Sequence, residues 1–222
     1  MERILVVGAS GHARSVLDLV FAAGRHRVIG VIDDHRSKGS HVLGYQILGR
    51  VDEMPVIVDE LQVEGVLIAI GDNYVRWTIA ARIRSLLPAM RFSVAIHPSA
   101  HIGLDTRVGG GTVVHAGSVI GPSCTIGELA IVNNRASVDH DCRMEDGSSV
   151  APGALVGGDC RIGALAAVGI GAVVIHGRRI GTNAVIGAGA VVVHDIPDAV
   201  VAYGNPARII RNRSPGDPYL SR

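Results

Sequence analysis

The stretch Ser137-Val-Asp-His-Asp-Cys142 sets two carboxylates on either side of one histidine, in a region otherwise built from Val, Ile, Ala and Gly. A histidine in that position can take a proton from a nucleophile. An adjacent carboxylate can fix its tautomer and stabilise the imidazolium that forms. The candidate base is His140, with Asp139 and Asp141 as its neighbours. What this chemistry can act on depends on how the surrounding repeat presents it.

From residue 92 onward an aliphatic residue returns every sixth position, from Ile96 through Val192, which makes seventeen uninterrupted units. Four places after nearly every one stands a small residue, with Arg178 and Ile196 as the exceptions. Neither an amphipathic helix, with period 3.6, nor an ordinary strand, with period 2, gives this spacing. A hexapeptide repeat predicts a parallel β-helix, in which each short strand and turn stacks on its neighbours to bury its apolar face. The aromatics agree: Phe21, Tyr45, Tyr74, Trp77, Phe92, Tyr203 and Tyr219 all lie outside 93–202. Cys124, Cys142 and Cys160 are spaced by three hexapeptides, so if three units close one coil they form an inward column of small residues. That reading predicts neither a disulfide nor a metal.

The same spacing places Gly158 directly above His140, followed by His176 and His194. A glycine there leaves room beside the imidazole, and its N–H can meet the oxyanion of a tetrahedral intermediate. A base next to an oxyanion donor is the equipment of acyl transfer. On spacing alone, a solvated corner histidine is the plainer reading, and His176 and His194 are rivals in the column. His97 and His115 stack elsewhere and are read as surface or subunit-interface residues. A zinc site shared by histidines of neighbouring subunits has no His/Asp/Glu pattern in its favour.

The first 91 residues alternate strands and helices, which implies a parallel sheet with ligand space at the carboxyl ends of its strands. The strands are "RILVV", "HRVIGVI" and "VEGVLIAI", and "NYVRWTIAARIRSLL" is helical. The first turn carries Gly8, Ser10, Gly11 and His12 without the full G-x-G-x-x-G of a dinucleotide site. A tight turn with no ligand explains these glycines too. Asp33 and Asp34, about twenty residues on, stand where such folds bind a ribose or base. The fold class is therefore an α/β Rossmann-like domain, 1–91, followed by a β-helix, 92–203, and a tail, 204–222. The tail's last stretch, "RNRSPGDPYLSR" (211–222), has Pro, Gly and Ser with little apolar content and is expected to be loosely ordered.

With 21 basic and 20 acidic residues, the chain has no electrostatic case for nucleic acid or an anionic membrane. No signal peptide or membrane span is legible, so the expectation is a cytoplasmic protein.

Two resemblances extend this reading. The unbroken hexapeptide resembles the left-handed β-helix acyltransferases, which implies a three-sided, 18-residue coil and a homotrimer with active sites in the grooves between subunits. Over about residues 3 to 210 the chain also resembles the NeuD/PglD-type sugar acetyltransferases, in "GASGHA", "IDD", "IAIGDN", "VNNRASVDHDC" and "GNPAR". This resemblance implies transfer of acetyl from acetyl-CoA, without a metal, to the amine, at C4, of a nucleotide-linked amino sugar for surface glycan biosynthesis. O-acetylation of a sialic acid is the alternative. It further implies His140 as base, Asp141 as its orienting carboxylate, Asn133 near the acceptor and Gly158 as N–H donor to the thioester carbonyl. Gly8, Ser10, Gly11, His12, Asp33, Asp34, Gly71 and Asn73 would hold the nucleotide sugar. Acetyl-CoA would pass Gly158, Ile170, Gly171, Gly187 and Ala188, with Arg208 at its phosphates. The usual glutamates beside the base are aspartates here, and Ser149 stands where some relatives carry a second histidine.

Overall fold

The computed structural model of the protein describes residues 1–220. The chain opens with β1 (Glu2–Val7), α1 (Gly11–Ala23), β2 (His26–Ile32), β3 (His41–Val42), β4 (Tyr45–Gly49), α2 (Met54–Glu60), β5 (Gly65–Ile68), α3 (Asn73–Leu86) and β6 (Arg91–Phe92). The sheet order is β3-β4-β2-β1-β5-β6, parallel except for the β3–β4 hairpin. The predicted strands and helices are present, and the sequence reading missed the β3–β4 hairpin, α2 and the edge strand β6. Buried residues of α1 pack on one side of the sheet with Ile4 and Val6, while α2 and α3 pack on the other with Leu5 and Val7. Because β1 leads to β2 on one side and has β5 on the other, the strand order reverses at the carboxyl end of β1. Open α/β sheets form their ligand crevice at such a point.

Beyond β6 come seventeen two-residue strands, from Ala95–Ile96 to Val191–Val192. Each pairs in parallel with the strand eighteen residues away, as Val119 with Ser137 and Ser137 with Leu155. The result is a three-sided left-handed β-helix, with one sheet along each face. The inward positions, Val114, Ile120, Ile126 and their successors, form one continuous core with the small residues of the corners. A residue with positive φ recurs every six positions, running Asp105, Gly111, Gly117, Ser123, Leu129, Arg135, Asp141, Gly147 and onward. That left-handed corner costs a side chain about 1–2 kcal/mol and suits Gly, Asn and Asp, which fill most of the series. The cysteine thiols lie in the core as an inward column and donate to carbonyls: Cys124 to Asp139, Cys142 to Gly157 and Cys160 to Ile175, at 3.0, 3.2 and 3.2 Å.

One face of the prism, with Val113 and Leu129 near its start, is covered by the N-terminal domain. Arg76 of α3 locks this junction. It is fully buried, and among the described residues no carboxylate is in salt-bridge contact with it. Its Nε donates to Leu129 O (2.8 Å) and its Nη2 to Gly147 O (2.9 Å), both on the β-helix. On its own domain it donates to Ile70 O, Gly71 O and Asn73 Oδ1. Burial pulls the guanidinium down to about 10, so it remains charged at neutral pH. Asn73 completes the lock by donating to Leu165 O and Ala166 O.

Two expectations are corrected. His115 is not a surface residue: it is 1% exposed, against α1, with its ring 5.5 Å from that of His12 and its Nδ1 3.4 Å from Ser15 Oγ. Burial holds both imidazoles neutral, His12 down at about 3 and His115 at about 4. The C-terminal segment is not loose either. Val200–Tyr203 and Arg208–Asn212 extend the sheet as an antiparallel pair, and the chain up to residue 220 folds back onto the N-terminal domain through Tyr219.

Replacing Arg76 with Met would leave four carbonyls and the Asn73 amide oxygen without their donor. Unsatisfied buried acceptors should dominate over the apolar packing retained, so Arg76→Met is expected to lose about 3–5 kcal/mol of unfolding free energy in a urea titration. A loss below about 1 kcal/mol would show that the lock contributes little.

Candidate active site

His140 lies on the edge of the prism between the strands Ser137–Val138 and Arg143–Met144. Its Nδ1 is 2.8 Å from Asp141 Oδ2, and its backbone N–H donates to Asp139 Oδ1, also at 2.8 Å. The two flanking aspartates thus divide the work: Asp139 fixes the backbone and Asp141 fixes the ring. Asp141 sits at a left-handed corner, φ 57°, where a short carboxylate side chain is well tolerated. With Nδ1–H directed at Asp141, Nε2 carries the free lone pair that a base needs. The hydrogen bond that the ring donates to Asp141, then the charge of Asp139, raises the His140 pKa above the ordinary histidine value.

The imidazole lies on Gly158, one coil further on. A Cβ at that position would fall 2.6 Å from both Nε2 and Cε1 of His140. The slot left by the glycine is filled by the ring itself, so any side chain there would displace the base. The N–H groups of Gly157 and Asp159 are taken by Val174 O and His140 O, whereas that of Gly158 has no backbone acceptor among the described residues. The imidazole and a free N–H donor are therefore neighbours on an exposed edge. His176, two coils above, has its ring 6.2 Å from that of His140. Ser149 belongs to a different face of the prism.

The other sequence-derived candidates fall into two groups. Asn133, Ile170, Gly171 and Ala188 lie on the next edge, across the face that carries Val119 and Leu155. A single chain does not bring them to His140. Gly187 is covered by Tyr203, whose Cβ would be 2.6 Å from a Cβ at that glycine, and Arg208 is exposed on the C-terminal hairpin.

The nucleotide candidates surround a cavity of about 500 Å³ at the ends of β1, β2 and β5. Gly8, Ser10, His12, Asp33, Asp34 and Gly71 line it. Gly8 has φ 109° and no room for a Cβ against Ala69 O, and the Ser10 hydroxyl is not spent on capping α1. Asp33 holds its loop through Oδ1, which accepts from His35 N and Arg36 N. Asp34 is committed to the fold. Burial would raise its pKa, but hydrogen bonds from Val51 N and Arg82 outweigh burial and hold it below the usual carboxylate range. Gly11 and Asn73 do not line the cavity, and Asn73 is used in the domain lock. Sequence reasoning missed a third wall, made by Gly216, Pro218 and Leu220. Among the described residues no group of three or more His, Cys, Asp or Glu side chains is placed to hold a metal, and no helix is long and apolar enough to cross a membrane.

Residues 3–83 match the PglD N-terminal domain family. A solved structure of a His-to-Ala mutant of GDP-perosamine N-acetyltransferase from Caulobacter crescentus, in complex with CoA and GDP-perosamine, is 35% identical to the chain. The match covers 96% of this chain and 98% of that one, with a TM-score of 0.89. The chain belongs to this family of PglD-type sugar N-acetyltransferases. The acetyltransferase domain of PglB from Neisseria gonorrhoeae, in complex with acetyl coenzyme A, is also similar: 32% identity over 94% of this chain and 99% of that one, TM-score 0.84. UDP-N-acetylbacillosamine N-acetyltransferase from Bacillus subtilis is 34% identical over 116 residues, and this match spans about half of either chain.

A base works only when neutral, so kcat/KM should rise with pH through the raised His140 pKa and level off above it. In Asp141→Asn the carboxylate that raises that pKa is gone. The rising limb should move to lower pH while the plateau drops, as the imidazolium loses its partner. An unmoved limb in the pH–rate profile would exclude Asp141 from this role.

Proposed function

We propose that the protein is an acetyl-CoA-dependent N-acetyltransferase acting on the C4 amine of a nucleotide-linked amino sugar. The observation that carries this reading is the His140 ring, held by Asp141 and seated on Gly158 beside a free backbone N–H. The neutral amine attacks the thioester carbonyl while His140 Nε2 accepts its proton. The Gly158 N–H stabilises the oxyanion, the C–S bond breaks as the amide forms, and the proton passes to the CoA thiolate. The ends of β1, β2 and β5 hold the nucleotide, with the first turn of α1 at its phosphates. The relatives solved with GDP-perosamine and CoA support this division of labour.

The protein works as a homotrimer in this proposal. Val119 and Leu155 expose 42% and 49% of their surface on the face between the two edges. Packing that face against a second copy buries apolar surface and sets the His140 edge of one chain beside the Asn133, Ile170, Gly171 and Ala188 edge of the next. The groove so formed takes the pantetheine arm, with Arg208 at the CoA phosphates. Acetyl-CoA and nucleotide sugars place the reaction in the cytoplasm, upstream of surface glycan assembly. No metal takes part.

The test is release of CoA thiol from acetyl-CoA with UDP-, GDP- and dTDP-linked 4-amino sugars, beside free sialic acid. Turnover on one nucleotide amino sugar, with an amide in the product, is expected. Turnover on sialic acid alone would move the activity to O-acetylation.

A further inference from the structure

The residues after the C-terminal hairpin are built into the nucleotide cavity. Ser214-Pro215-Gly216-Asp217 has proline at the second and glycine at the third position, with Gly216 at φ 85°, as a type II turn requires. The turn is closed by Asp217 N–H donating to Ser214 O (3.1 Å) and by Ser214 N–H donating to the Asp217 carboxylate (3.0 Å). Arg213, only 6% exposed, anchors it: Nη1 donates to Asn183 O, Nη2 donates to Asp217 O, and the guanidinium lies 5.4 Å from the Tyr219 ring centre. Tyr219 then reaches the N-terminal domain. Its hydroxyl accepts from Asn73 N (3.1 Å) and approaches Gly71 O (3.5 Å), the carbonyl that Arg76 also holds. The loop 70–73 is thus gripped from two directions.

This anchoring leaves Pro218 and Leu220 on the cavity wall, with the Leu220 Cδ1 methyl 3.5 Å from where a Cβ on Gly71 would sit. Leu220 is half exposed, on the cavity side of Gly71. Of the parts of a nucleotide sugar, the base alone presents flat apolar faces; ribose, diphosphate and amino sugar are polar. We infer that Ser214–Leu220 is a strap that completes the acceptor site, with Pro218 and Leu220 packing on the nucleobase and Tyr219 positioning the Gly71 loop. The inference rests on the nucleotide reading of the cavity and adds to it a wall drawn from the far end of the chain.

The experiment is calorimetric titration of UDP, GDP and dTDP into the full-length protein and into Leu220→Ser, with Tyr219→Phe as a second variant. For the nucleotide that wild type binds, Leu220→Ser should weaken binding about tenfold, the size expected for losing one apolar side-chain contact. The KM for acetyl-CoA and the melting temperature should not move, because Leu220 is half exposed. Tyr219→Phe should raise the KM of the acceptor while leaving the pH profile of the base in place. Equal nucleotide affinity in wild type and both variants would overturn the strap while leaving the cavity a nucleotide site. No binding of any of the three nucleotides to wild type would overturn the nucleotide reading and the strap with it.

Discussion

The structure depends on one constraint: each two-residue strand pairs with the strand eighteen residues away, without a slip along the prism. This register puts His140 and Gly158 one above the other although neither is near the other in sequence. A one-residue deletion between them would move the glycine out of the column and set Asp159 in the slot. The ring stays where it is because Asp141, at the left-handed corner, bonds Nδ1, and because the Cys124 thiol holds the Asp139 carbonyl from inside the coil. Burial raises the Cys124 pKa, so that thiol remains a donor. The reacting group is thus carried on a rigid edge rather than a loop, which limits how far it can drift from its productive position.

The second dependence is the mounting of the nucleotide domain on the prism. Two packed domains joined only by apolar contact could slide, and sliding would carry the cavity away from the His140 edge. The Arg76 guanidinium prevents this with directional bonds into Leu129 and Gly147 on one side and Ile70, Gly71 and Asn73 on the other. A charge buried without a carboxylate is expensive to desolvate, and it is retained here by carbonyl dipoles on every side. Ile70 and Gly71 also line the cavity, so the side chain that fixes the domain junction holds one wall of the cavity as well.

Much of this was legible in the sequence because it is periodic. A single inward aliphatic residue per six positions fixes the coil, and arithmetic in steps of eighteen then finds Gly158 from His140. The recurrence of Gly, Asp and Asn three places after each aliphatic residue also marks the corners, and it would have singled out Asp141 over Asp139 as the residue with a local conformational reason to be there. What was not legible involves partners far apart in the chain. Arg76 and Asn73 bond to carbonyls, which have no sequence signature, so Asn73 reads as a ligand residue when it is part of the lock. His115 is buried by α1, about a hundred residues earlier, and the repeat alone cannot announce that cover. The C-terminal segment has the composition of a loose tail, yet its S-P-G-D is a turn with a mechanism, and Tyr219 gives it somewhere to go.

The central claim is that His140 is the base of an acetyl transfer. It is tested most directly by comparing His140→Ala with wild type for turnover of acetyl-CoA and the accepted nucleotide amino sugar, with CoA binding and the melting temperature measured alongside. The account predicts intact folding and CoA binding with kcat/KM lower by about 10²–10⁴-fold, the usual contribution of a general base. Turnover within a few fold of wild type would contradict it.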